Sequence, residues 1–129
     1  MSTPSANENR QHIRVNIERN LFIMLSDGEK VKAKMVNISK GGIGITYPIA
    51  TDMGTKLKIL FTIPTDNDAI PIRANVTVCH VHFSGNEFHI GLEFDDMEMT
   101  DKIVISSFIQ KKLTQKKHSQ KVIVANNKH

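Results

Sequence analysis

Between Leu21 and Phe94 apolar residues recur at every second position in one run after another, the pattern of strands that bury one face. Leu21 to Leu25 forms a short apolar run that stops at Ser26-Asp27-Gly28, where glycine accepts a positive φ and the chain can reverse. Val31, Ala33 and Met35 then alternate with Lys30, Lys32 and Lys34, which predicts a hairpin across Asp27-Gly28 with a lysine outer face. Val36 to Ser39 finish that strand, Lys40-Gly41-Gly42 turns, and Ile43 and Ile45 begin the next. Residues 48–54 read as loop. Leu57, Ile59, Phe61 and Ile63 alternate as far as Pro64 and the Asp66-Asn67-Asp68 turn. In the long run that follows, Ile72, Ala74, Val76 and Val78 share a face until the period slips around Cys79-His80-Val81, which predicts a bulge there. Ser84-Gly85-Asn86 turns into a last strand with Phe88, Ile90, Leu92 and Phe94.

After Asp95 the period changes. Ile105, Ile109 and Leu113 are spaced by four, with Val104 and Phe108 beside them, as on the apolar stripe of a helix. Thr100 and Asp101 suit its start, and Lys111, Lys112, Lys116 and Lys117 its C-terminal end. At the other end, residues 1–9 are small and polar and predict a mobile arm, while Ile13, Val15 and Ile17 alternate as extended chain. The expected fold is mainly β: a six-stranded antiparallel β-barrel, which removes exposed edges, with a C-terminal α-helix over an open side or end. The expected division is an arm at 1–9, a barrel and helix at 10–117 and a basic tail at 118–129, in which Val122-Ile123-Val124 frays or docks weakly.

Composition sharpens this picture in a few places. A chain of 129 residues fits one domain that hides roughly two-thirds of its unfolded surface. No apolar run approaches the roughly 20 residues that span a bilayer, and the polar start shows no secretory signal. Cys79 is the single cysteine, so no internal disulfide can form. These features together predict a soluble protein of the cytoplasm. The net charge of +4 is misleading, because residues 110–129 hold six lysines and no acid; taking 6 from +4 leaves a body of −2. The basic character is mostly a solvated tail.

Arginine placement says more than net charge. Only four of the 17 basic residues are arginine, and Arg10, Arg14 and Arg19 all fall near the N-terminus. The guanidinium fork fits phosphate oxygens and the guanine O6/N7 edge bidentately, which an ammonium cannot do. On a helix Arg10 and Arg14 would sit about 6 Å apart; in extended chain they span about 13 Å and could grip one ligand from two places. The second notable stretch is Asn37-Ile38-Ser39-Lys40-Gly41-Gly42. By itself it is an ordinary turn, in which Asn and Ser satisfy nearby backbone.

Taken in order, an Arg-x-x-x-Arg pair at Arg10 and Arg14, an Asn-x-Ser-x-x-Gly turn at Asn37, Ser39 and Gly42, an Ile90-Gly91-Leu92-Glu93-Phe94 strand and a C-terminal helix resemble the PilZ domain family of bacteria, over about residues 9–115. The resemblance implies a receptor for the second messenger cyclic di-GMP, which carries two phosphodiester charges and two guanines. It implies that Arg10 and Arg14 contact phosphates and guanine edges, that Asn37 and Ser39 hydrogen-bond a guanine, and that the Gly41-Gly42 pair, Gly42 above all, lets the backbone pass close to the ligand. It also implies no enzymatic activity, no cofactor, and a downstream protein that reads an ordered arm, in motility or biofilm control. Many members carry a further arginine where this chain has Asn9, which leaves open whether one or two ligand molecules bind. Aspartate is commoner at the Asn37 position; amide and carboxylate both accept from guanine N–H groups.

Other chemistry is thin. His80 and His82 share a strand face that His89 could oppose, so two or three imidazoles could ligate a metal, but nothing at recognisable spacing completes the ligand set or orients it. No nucleophile elbow or phosphate-binding Gly-Lys-Ser/Thr loop occurs, and Asp95-Asp96 falls at a strand-to-helix junction. A single-stranded nucleic-acid barrel would need aromatic platforms, and the chain has one Tyr and no Trp. The alternative within the resemblance is an adaptor that binds proteins without nucleotide.

Overall fold

The computed structural model describes the backbone of residues 12–127 and the side chains of residues 12–115. Six strands follow in chain order: β1 Val15–Met24, β2 Lys30–Ile38, β3 Gly42–Tyr47, β4 Lys56–Pro64, β5 Ala69–Ser84 and β6 Glu87–Phe94; helix α1 spans Met99–Asn127. All pairings are antiparallel, and the closed order is β1-β2-β3-β6-β5-β4. The expected fold class, a six-stranded antiparallel barrel with a C-terminal helix, is the observed one. The closing seam is short, pairing Phe22, Ile23 and Met24 with Leu60, Ile59 and Lys58.

The alternation read along the sequence maps onto the barrel interior. Leu21, Met35, Ile38, Ile43, Ile45, Ile59, Phe61, Ile63, Ile72, Val76, Val78, Ile90 and Leu92 are all buried there. Burying a side chain of this kind contributes about 1.5–3 kcal/mol, so the interior carries the fold. Helix α1 supplies Ile105 and Ile109 to the same cluster and closes the end where β1 begins and the β2–β3 and β4–β5 turns lie. The Lys111 ammonium meets the Asp66 carboxylate in that β4–β5 turn. With no Gly or Pro after Pro71 except Gly85 and Gly91, nothing interrupts the helix, and it continues past residue 117 to Asn127.

The hairpin turns follow their glycines. Gly28 takes φ +92 in the β1–β2 turn, where the Asp27 carboxylate accepts from the Glu29 amide at 3.0 Å. Gly85 and Asn86, at φ +62 and +69, form the two-residue β5–β6 loop with positive φ at both centres.

Three pairings shift register: β1 against β2 between Asn16 and Arg19, β2 against β3 between Met35 and Asn37, and β5 against β6 between Val78 and His80. The last is the slip predicted at Cys79-His80-Val81. The shift at Val36 lets Met35 and Ile38 both point inward while Asn37 stays on the outer face. All three fall in one band of the barrel wall, and bulges re-aim side chains.

Candidate ligand-binding face

Two halves 23 residues apart in sequence meet at the start of β1. Arg14 Nη1 donates to Asn37 Oδ1 at 3.3 Å on the barrel's outer surface. The Asn37 amide lies across β3, because a Cβ on Gly44 would stand 2.7 Å from its Oδ1 and 2.9 Å from its Nδ2. Gly44 is thus the position that gives Asn37 its place. Arg10 lies outside the described residues. Arg19 is bound elsewhere: its Nε donates to Thr62 Oγ1 at 3.1 Å on β4, on the other side of β1.

The turn from β2 to β3 is held by Ser39, which is 4% exposed. Its Oγ accepts from the Gly41 and Gly42 amides, each at 3.2 Å, and donates to Gly42 O at 3.4 Å, while its own amide donates to Gly42 O at 2.9 Å. A serine so engaged fixes the turn's shape. Gly42 is required by packing, since a Cβ there would fall 2.1 Å from the Leu92 carbonyl oxygen on β6. Gly41 faces the His12 ring, whose carbons would lie 3.3 Å from a Cβ at that position, and its carbonyl accepts from the Phe94 amide at 2.9 Å. Of the six residues singled out in the sequence, the structure therefore brings five into one region and shows what each touches.

The same face holds residues that the motifs did not mark. Arg14 and Glu93 both act electrostatically on Cys79: burial pushes the Cys79 thiol above its ordinary value, Glu93 pushes it the same way, and the Arg14 guanidinium pulls it down. Cys79 Sγ also donates to the Gly91 carbonyl at 3.4 Å. An arginine just before β1 and a cysteine on β5 thus share one electrostatic neighbourhood. The His80 and His82 rings lie 6.3 Å apart and the His82 and His89 rings 6.1 Å apart. Among the described residues no group of three or more His, Cys, Asp or Glu converges as a metal site would. The signal available in the sequence was the pair of outward glycines, Gly44 and Gly91, since glycine inside a strand marks close approach of another group.

A cleft of about 410 Å³ runs beside this face, lined by His12, Ile13 and Lys40 on one side and by Ser106, Gln110 and Leu113 of α1 on the other. It places the N-terminal segment and the β2–β3 turn against the helix.

The barrel is closed by β1–β4 pairing and carries the Arg14–Asn37 contact beside a serine-held turn. The family model described as PilZ domain matches residues 8–111, so the chain belongs to the PilZ domain family. No curated protein matches it in sequence. Among solved structures it is similar to the Bacillus subtilis inhibitor of motility MotI/DgrA, at TM-score 0.72 and 19% identity over 81% of this chain and 52% of that one. It is similar to the PilZ domain of YcgR from Escherichia coli, solved with c-di-GMP, at TM-score 0.67 and 12% identity over 87% of this chain and 97% of that one. The Klebsiella pneumoniae MrkH–c-di-GMP complex gives TM-score 0.67 and 13% identity over 85% of this chain and 55% of that one. At these identities the likeness establishes the fold. The chain spans about half the length of MotI/DgrA and MrkH and nearly all of the isolated YcgR domain. No helix among the described residues is long and apolar enough to cross a membrane.

Proposed function

We propose that this chain is a receptor for cyclic di-GMP, acting by binding and relay in the cytoplasm rather than by catalysis. The observation that carries the reading is the Arg14–Asn37 contact at 3.3 Å over Gly44. It sets a guanidinium, which suits phosphate or the guanine O6/N7 edge, beside an amide oxygen that can accept from guanine N1–H and N2–H₂. Arg10, four residues before Arg14, adds a second guanidinium from the N-terminal arm. Ser39, Gly41 and Gly42 act through the turn: Ser39 holds it and Gly42 lets it lie against β6, so that Asn37 is presented in one orientation. Hydrogen bonds to charged groups contribute about 1.5–3 kcal/mol each. Three or four of them, less the ordering of the arm, reach about −8 kcal/mol, a roughly micromolar Kd.

The relay runs through the N-terminal segment. His12 packs on Gly41, and His12 and Ile13 border the cleft against α1. Ligand that orders the arm at Arg10 and Arg14 changes what this cleft offers to a downstream protein. The binding unit is residues 10–117, preceded by the arm at 1–9 and followed by the lysine-bearing end at 118–129.

A thermal-shift series tests the reading. A ligand that binds only the folded chain stabilises it by mass action, about 2.7 kcal/mol at 100 times Kd. Cyclic di-GMP should raise Tm by several degrees and Arg14→Ala should abolish the rise. Equal shifts with cyclic di-AMP, or none with cyclic di-GMP, would overturn it.

A further inference from the structure

Past Val78 one edge of β5 has no strand beside it. Strand β4 pairs with β5 only from Ala69 to Thr77, and the β3–β4 loop adds Gly54 and Thr55, which bond to the Val78 carbonyl and amide. From His80 to Ser84 the strand is paired on its other edge alone, with Gly91 to Glu87 of β6. The hairpin sets the direction of its backbone groups. Ser84 and Glu87 flank the two-residue Gly85-Asn86 loop and form a hydrogen-bonded pair, and by alternation His82 and His80 bond to β6 as well. The amides and carbonyls of Val81 and Phe83 therefore point to the bare edge. The register shift at Cys79 produces this, since before it Val78 is the residue that points away from β6.

This edge lacks the usual guards. Edge strands are kept apart by charged side chains, lysine above all, and by proline. Lysines line the outer faces of β2 and β4, whereas residues 74–86 hold no Asp, Glu, Lys, Arg or Pro. On the inward side of the hairpin an apolar strip continues past the barrel. Phe83 pairs with Phe88 and Phe88 with Tyr47, and Val81 pairs with the buried Ile90. The two phenylalanine rings lie 4.8 Å apart, and Phe83 is still 57% exposed. The loop that leaves Tyr47 and reaches Val78 adds exposed Ile49 and Met53.

We infer that a second copy of this chain adds at this edge, β5 against β5 in antiparallel register about His82. The strand matches itself group for group. With His82 opposite His82 of the other copy, Val81 of each faces Phe83 of the other, and the free amides and carbonyls of both residues are satisfied at once in hydrogen-bonded pairs. Phe83 then lies beside the other copy's Val81 on the apolar strip, an aromatic against a β-branched side chain. No carboxylate, lysine or arginine meets its like. The two barrels join in one sheet, β3-β6-β5-β5-β6-β3, and β3 and β6 separate the contact from Asn37. A contact of about five residues a side buries less than the roughly 1,600 Å² of a standard interface, so the dimer is reversible and forms with rising concentration.

Sedimentation equilibrium of the full chain tests this. From about 1 to 100 μM the average mass should rise from the 14.5 kDa of one chain towards twice that. Phe83→Lys, which puts a charge on the edge, should weaken the dimer at least about tenfold with the thermal melt unchanged. Register is read by crosslinking in a Cys79→Ser background. His82→Cys should form an intermolecular disulfide in air, since a non-hydrogen-bonded antiparallel pair holds its Cα atoms about 4.5 Å apart, within the roughly 4.4–6.8 Å that a disulfide spans. Ser84→Cys should not, because its two copies lie about 14 Å apart along the strands. A single-chain mass at every concentration, with no His82→Cys crosslink, overturns the proposal. A dimer indifferent to Phe83→Lys, or one that crosslinks as readily through Ser84→Cys as through His82→Cys, also overturns it. Both introduced cysteines replace exposed residues, so the crosslinks decide the matter even if Phe83→Lys fails to fold.

Discussion

Gly42 and Gly44 are two residues apart, both face outward from β3, and should fail in opposite ways when a methyl is added. In Gly44→Ala the new Cβ stands 2.7 Å from Asn37 Oδ1 and 3.0 Å from Asn37 Cγ. A comfortable carbon–oxygen contact is about 3.3 Å or more, so the amide must retreat by about 0.6 Å. It is the end of a side chain and can rotate. The retreat breaks the 3.3 Å bond from Arg14, which is exposed and contributes about 0.5 kcal/mol. Removing a strand glycine returns a similar amount through the unfolded chain. Stability should therefore change by less than about 1 kcal/mol, while cyclic di-GMP affinity falls about tenfold, since an Asn contact of about 1.4 kcal/mol is displaced. In Gly42→Ala the obstacle is the Leu92 carbonyl oxygen at 2.1 Å, part of a ladder that pairs Gly42 with Glu93 and Ile43 with Leu92. Strands β3 and β6 must separate by about 1 Å, a cost of about 3 kcal/mol or more and a fall in Tm of about 10–15 °C. Circular-dichroism melts and calorimetric titration of both variants decide the matter. If Gly44→Ala bound ligand like the wild type, or lost as much stability as Gly42→Ala, the assignment of Gly44 as the seat of Asn37 would be wrong.

Three further outcomes follow from named contacts. Burial and Glu93 hold the Cys79 thiol above its ordinary 9.0 while Arg14 pulls it down; only the thiolate reacts, so alkylation should accelerate at higher pH than for a free cysteine, and Arg14→Ala should move the profile higher still. A profile unmoved or lowered by Arg14→Ala would place Arg14 away from Cys79. Phe61→Ala removes a 2% exposed ring at the barrel centre and should cost about 3–5 kcal/mol in denaturant unfolding, against less than 1 if the interior were loosely filled. Lys111→Ala breaks the pair with Asp66, whose side chains are 47% and 76% exposed, and should shift Tm by no more than about 2 °C; a larger loss would show that the pair anchors the helix.

The strands were legible because a half-buried strand has a period of two, which the barrel strands keep except at the end of β2 and in β5 from Cys79 onward. The bulge at Cys79 was legible for the same reason, as a break in that period. The shift at Val36 was not, because Val36 is itself apolar and masks the slip from Met35 to Ile38. The helix end was placed at about 117 by the lysines Lys111, Lys112, Lys116 and Lys117, which suit a C-terminal end, whereas the backbone runs on to Asn127 for want of any breaker. At the site the sequence marked Arg14, Asn37 and the turn, but not Gly44, and it did not place Gly91, His80 or Glu93 beside them. Those four are neighbours only through register across β3, β6 and β5, and pairing partners 11 to 47 residues apart are not encoded in any local spacing. Ser39 and Gly42 were marked for the ligand, and the contacts they make are to the turn and to β6.

The central claim is that the face built by Arg14, Asn37 and the Ser39 turn binds cyclic di-GMP. Isothermal titration of the 129-residue chain with cyclic di-GMP measures it directly. The account predicts saturable heat with a Kd of roughly 1 μM, weakened at least tenfold by Arg14→Ala; no saturable heat up to about 100 μM ligand would contradict it.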